Sequence, residues 1–131
     1  MEQKKLWRKL FIFLVIYFTC FSYTYASIDN WTKILQLKNE KTTIYVNLTN
    51  VRSNNAFVYF WVLANFTKTG KSKVYYKQAD CEKMVYRILL TEFNDTYMAK
   101  DYTGITIVDD REYWIDAKDD EIKMLDSVCS Q

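Results

Sequence analysis

Few residues in this chain could do chemistry, and the first candidates fall in one polar stretch. Gly70-Lys71-Ser72 has the ending of a phosphate-binding loop. That loop also needs a glycine five positions before Gly70, where Asn65 stands, and a helix after it, where the pattern stays extended. A hairpin turn, with Gly70 free to take positive φ, is the better reading. Around it lie Lys68, Lys71, Lys73 and Lys77, with Tyr75 and Tyr76 between them. Lysines interleaved with rings suit polyanions such as glycosaminoglycans or nucleic acid, and Tyr75 and Tyr76 offer an aromatic binding face. Alternation along a strand puts Lys73, Tyr75 and Lys77 on one face. An edge strand whose lysines block edge-to-edge pairing explains the same residues and is the simpler reading.

The acids offer less. Asp109-Asp110 and Asp119-Asp120-Glu121 carry oxygen ligands but lack the calcium-loop spacing with its central glycine, so a solvated turn and a helix start account for them. Glu92 and Asp95 could serve as an acid–base pair only if the fold brought them to one pocket, and nothing in the sequence requires that. The 131 residues include no His and no Pro. The lack of His excludes Ser-His-Asp and Cys-His nucleophiles, a His general base and His-containing zinc sites. Gly70 and Gly104, the only glycines, cannot build a glycine-rich phosphate loop. No catalytic residue, cofactor or metal is expected.

The amino terminus reads as a signal peptide over residues 1–26. Lys4, Lys5, Arg8 and Lys9 precede an apolar run, and Thr24-Tyr25-Ala26 places small residues for cleavage before Ser27. The run from Leu10 to Phe21 would span about 18 Å as a helix, short of a hydrocarbon core of roughly 30 Å. An uncleaved anchor extending to Ala26 and a lipid-modified Cys20 remain alternatives. Removing the segment takes four of 18 basic residues and one of 16 acidic ones, leaving 14 against 15 and a net charge of −1. The chain's formal +2 therefore argues for neither nucleic acid nor a membrane surface. Membrane contact is expected only through the signal segment. Cys81 and Cys129 remain, an even pair in an oxidising compartment. A bridge closing a loop of about 50 residues would stabilise by roughly 4 kcal/mol. Two buried free thiols are the other reading.

One domain, residues 27–131, must position whatever acts. Half of the chain is hydrophobic and 18% is aromatic, enough to bury a core. Strands are expected at Trp31 to Leu37, Thr43 to Leu48, Ala56 to Phe66, Lys73 to Cys81, Met84 to Phe93 and Ile105 to Val108. Ile44, Val46 and Leu48 share one face, and Met84, Tyr86, Ile88 and Leu90 share another. Ala56 to Phe66 is apolar on both faces and so belongs at the centre. A hairpin is expected around Glu82-Lys83. After Tyr113-Trp-Ile115 the period becomes helical, with Ile122, Leu125 and Val128 or Cys129 recurring and Asp116 as N-cap. The fold class is α+β, an antiparallel sheet of about six strands with a C-terminal helix on one face. Trp31, Trp61, Trp114 and the tyrosines are core residues or a binding face, and sequence leaves both open. Four Asn-X-Thr sequons, at Asn30, Asn47, Asn65 and Asn94, are glycosylated in a eukaryotic or viral secreted protein and incidental in a bacterial one.

A pattern across the chain resembles the bacterial surface-adhesin protein E-like family. It runs through Trp31-Thr-Lys-Ile, Ile44-Tyr-Val-Asn-Leu-Thr-Asn-Val-Arg52, Val58-Tyr-Phe-Trp-Val-Leu63, Ser72-Lys-Val-Tyr-Tyr76 with Asp80-Cys81, Tyr86-Arg-Ile88, Tyr113-Trp114 and Cys129. The resemblance implies an extended antiparallel sheet whose C-terminal helix is tethered by a disulfide, and it assigns that bridge to Cys81 and Cys129. It also implies an exported, non-enzymatic binding module that adheres to a protein or glycan ligand such as host extracellular matrix, with a homodimer, while the near-neutral charge leaves no nucleic-acid partner expected. Its place would be the periplasm, the cell surface or the medium. A periplasmic accessory or inhibitor protein on the same scaffold is the alternative.

Overall fold

Three runs of strand-forming residues make the centre of the sheet: β4 (Phe57–Phe66), β5 (Lys71–Asp80) and β6 (Val85–Asn94). The structure is a computed structural model that describes residues 3–5, 30–37, 41–100, 104–110 and 112–131. Apart from residues 3–5, the expected signal segment and Cys20 lie outside the described residues. No helix among the described residues is long and apolar enough to cross a membrane.

Each flank of the central trio carries a broken strand. On the β4 side, β2 (Thr42–Asn47) pairs with Val62–Phe66, and β3 (Arg52–Asn54) continues the line along Phe57–Tyr59. On the β6 side, β7 (Ile105–Val108) pairs with Leu90–Phe93, and β8 (Ile115–Asp116) pairs with Val85 and Tyr86. β1 (Trp31–Leu37) pairs with β2. The result is an eight-stranded antiparallel sheet of order β1-β2-β4-β5-β6-β7, followed by α1 (Asp120–Cys129). β3 and β8, three and two residues long, are the strands that apolar alternation does not reveal. The short spans give no room for a period to show.

Turn chemistry fixes the hairpins. Gly70 takes φ 69° in the β4–β5 turn, so Gly70-Lys71-Ser72 closes a hairpin. At the β5–β6 turn the Asp80 carboxylate accepts N–H bonds from Glu82 (3.0 Å) and Lys83 (3.1 Å). A β-carbon on Gly104 would collide with the Phe93 carbonyl oxygen, so the chain leading into β7 needs glycine there.

The core lies between the sheet and α1. Val46, Val58, Phe60, Val62, Ala79 and Tyr86 meet Met124, Leu125 and Val128. Burying each large apolar side chain contributes roughly 1.5–3 kcal/mol. Cys81 and Cys129 form a disulfide with a Cα–Cα distance of 5.8 Å, tying the end of α1 to the chain just after β5. Cys20 has no part in that bridge.

Three details depart from the sequence reading. A bulge between Tyr76 and Lys77 pairs Tyr76 with Leu90 and Lys77 with Ile88. Met84, Tyr86 and Ile88 thus pack under α1 while Leu90 sits beside Tyr76 on the other face. The helix begins at Asp120 rather than after Asp116, with Asp119 at φ 44° and no side-chain cap bond. Glu121 instead accepts the Lys118 N–H (3.1 Å) and the Tyr86 hydroxyl proton (2.5 Å). Those bonds and the bridge orient α1 so that Met124 is buried and Ile122 is left 40% exposed. Finally, β5 is interior, paired with β4 and β6, so its lysines do not protect a sheet edge.

Candidate functional site

The strand period divides the neighbouring side chains of β5 between two faces. Tyr75 and Lys77 lie under α1, where Tyr75 packs against the core. The Lys77 ammonium is 4.5 Å from the Tyr86 ring centre, 5.4 Å from that of Tyr75 and 3.9 Å from the Met124 sulfur. Burial pushes its pKa down to about 8, and the Glu121 carboxylate pulls partly back. Burial also raises the Tyr75 and Tyr86 hydroxyls, Tyr86 further because it donates to Glu121. Lys73 lies between the rings of Phe93 (5.0 Å) and Phe66 (5.6 Å). Lys71 pairs with Asp95 at 3.4 Å, and Lys68 is exposed in the β4–β5 turn. Lys68, Lys71 and Lys73 thus gather at the hairpin end, while Lys77 is sealed below the helix.

The opposite face carries a different surface. Phe57, Tyr59 and Trp61 alternate outward from β4, and on β5 Tyr76 sits opposite Trp61 and Gln78 opposite Tyr59. The Tyr76 ring is 4.6 Å from Trp61 and 6.3 Å from Tyr59. Gln78 donates to the Tyr59 hydroxyl (3.0 Å) and accepts from Arg87 Nε (2.6 Å). The Arg87 guanidinium lies 5.1 Å over Trp114, which stacks on Phe57 at 5.7 Å. One track thus runs from the rings of Trp61, Tyr76 and Tyr59 through Gln78 and Arg87 to Trp114. Each ring leans on the next, so a ligand would meet a surface with little rotamer freedom left to lose.

At the far end of this face, residues 97–99 cover the small core of Leu63, Val74 and Ala99. Ser72 Oγ donates to the Thr96 carbonyl (2.6 Å) and accepts the Ala99 N–H (3.1 Å), while Asn65 accepts the Met98 N–H (2.9 Å). Between that cover and Trp61 opens a cleft that includes Trp31 and Glu92.

The remaining sequence candidates disperse. Glu92 faces this cleft, whereas Asp95 pairs with Lys71 and lines another, so they do not share a pocket. No three Cys, Asp or Glu side chains among the described residues gather as metal ligands. Asn65 and Asn94 are buried, so the folded chain cannot carry a glycan on either. Arg87 and Gln78, which hold the aromatic track together, escape sequence reading. Their only signal is that both fall on the face opposite Tyr86 and Ala79 once the register is known.

The surface-adhesin protein E family model matches residues 31–130, nearly all of the sheet and helix described above. No curated protein and no solved structure matches the chain.

Proposed function

This chain belongs to the surface-adhesin protein E family, and from that membership we propose that it is an exported, non-enzymatic binding module whose sheet face opposite α1 adheres to extracellular proteins or glycans. One observation carries the reading. The helix closes one face of the sheet, while the other keeps the half-buried track Trp61–Tyr76–Tyr59–Gln78–Arg87–Trp114. Aromatic rings with an arginine among them are the side chains that dominate binding energies at protein surfaces. Host extracellular matrix is the proposed target class. The near-neutral domain without its leader speaks against nucleic acid as a partner.

A second copy is proposed as a further partner, along β7. Its outer edge has no strand neighbour among the described residues, and Ile105, Ile107 and Val108 are 71%, 53% and 72% exposed. Such an edge invites strand addition. Limited proteolysis of intact cells tests the adhesive reading. Cleavage of the domain on intact cells supports it, and cleavage only after the envelope is opened ends it in favour of a periplasmic accessory role.

A further inference from the structure

Trp31 and Trp61 line a cleft of about 160 Å³ together with Asn47, Asn50, Val74 and Glu92. We propose that this cleft binds one ring of a neutral saccharide. The proposal deepens the adhesive reading by naming a ligand class for one end of the same face.

The fold places each group firmly. Trp61 and Val74 come from the central strands, and Glu92 stands opposite Val74 on β6. Trp31 pairs with Asn47 where β1 meets β2. Two indoles offer apolar area to the C–H face of a sugar ring, and the cleft has about the size of one such ring. The polar groups then decide among ligands. Glu92 accepts hydrogen bonds only, and no ion pair engages it among the described residues. Asn47 Oδ1 already accepts from Thr49 Oγ1 (2.8 Å), leaving the amide N–H groups to donate. Trp31 Nε1 is a buried donor with no partner.

This mixed set discriminates by chemistry. An ammonium ligand could pair with Glu92 but only donates, so it would leave the Asn47 amide N–H groups without an acceptor. A sulfated or carboxylated sugar would bring a second negative charge against Glu92, and among the described residues no lysine or arginine lines the cleft. A hydroxyl both donates and accepts, so a neutral sugar can satisfy Glu92 and the Asn47 amide together. A longer glycan would continue from Trp61 onto Tyr76 and Tyr59.

The test uses purified, disulfide-bonded protein titrated with the methyl glycosides of glucose, galactose, mannose and N-acetylglucosamine. Lysine and N-acetylneuraminic acid are run alongside, and the indole N–H resonances of Trp31 and Trp61 are followed by NMR. At least one neutral glycoside is expected to shift both resonances to saturation. Glu92→Gln should weaken that binding about tenfold with unchanged melting, since it loses only the charge-assisted bond. The proposal is overturned if no neutral glycoside shifts the resonances, if only lysine or the acidic sugar does, or if Glu92→Gln binds as wild type. Protease exposure on cells separates the two claims. Saccharide binding by a domain that intact cells shield would keep the cleft and end adhesion, and exposure without saccharide binding would do the reverse.

Discussion

Lys77→Met should stabilise the protein at neutral pH, because the wild-type side chain holds an ammonium under α1 with no carboxylate in contact. Its pKa falls from 10.5 to about 8, mainly through burial. A shift of that size means that burying the charged form costs roughly 3 kcal/mol below pH 8. Against this stand the cation–π contacts with Tyr86 and Tyr75, worth about 1 kcal/mol together. Methionine has similar length and would pack against Met124, so the net gain is about 2 kcal/mol, a rise on the order of 10 °C in melting temperature. The sign with pH follows from the direction of the shift. The unfolded chain keeps its proton up to about pH 10.5 while the folded chain loses it near pH 8, so wild-type stability rises between those values. The advantage of the variant should therefore shrink to less than half between pH 7 and pH 9.5. Urea melts of both proteins at the two pH values, with the disulfide intact, read this directly. A variant less stable at pH 7, or an advantage that stays constant with pH, would refute the reasoning.

Other perturbations follow from the same contacts. Reduction, or Cys129→Ser, should lower stability by roughly 4 kcal/mol and free the end of α1, read as loss of amide-exchange protection over Asp120–Cys129. Leu125→Ala removes a fully buried side chain between helix and sheet and should cost about 2–5 kcal/mol in urea melts. Above pH 10 the wild type should lose stability, since Tyr75 and Tyr86 stay protonated in the fold while the unfolded phenols ionise. Tyr86→Phe should blunt that loss, as read by melting temperature across pH 9–11. Ile107→Lys should abolish any concentration-dependent mass in analytical ultracentrifugation without changing the melting temperature.

Residues with a clear period were legible in the sequence. Ile44, Val46 and Leu48 pack against the core as their alternation requires, and the doubly apolar β4 is central, with Phe60 and Val62 under α1 and Leu63 in the small core beneath residues 97–99. What was not legible depended on counts that local pattern cannot supply. One extra residue in β6 moved Leu90 to the other face, and that bulge is fixed by pairing with β5, not by β6 itself. The start of α1 lies three residues later than the Asp116 cap implies because Glu121, the second residue of the helix, caps through its bonds to Lys118 and Tyr86. Lys68, Lys71, Lys73 and Lys77 look alike along the chain. Topology alone separates Lys77, sealed by the helix, from Lys68 in the open turn. The aromatic track was half visible, since Tyr59 and Trp61 alternate on β4, but the link through Gln78 and Arg87 to Trp114 exists only across three strands.

The central claim is that the face opposite α1 binds the extracellular ligand. The most direct measurement is adhesion of cells displaying the disulfide-bonded domain to immobilised extracellular matrix, comparing wild type with Tyr76→Ala, Trp114→Ala and Ile122→Ser. Tyr76 and Trp114 lie on the open track, and Ile122 is exposed on the helix outside it. Each track variant should lower adhesion at least tenfold at unchanged melting temperature, as removal of a central aromatic contact does, while Ile122→Ser adheres as wild type. Equal adhesion by all four proteins, or loss confined to Ile122→Ser, would contradict the account.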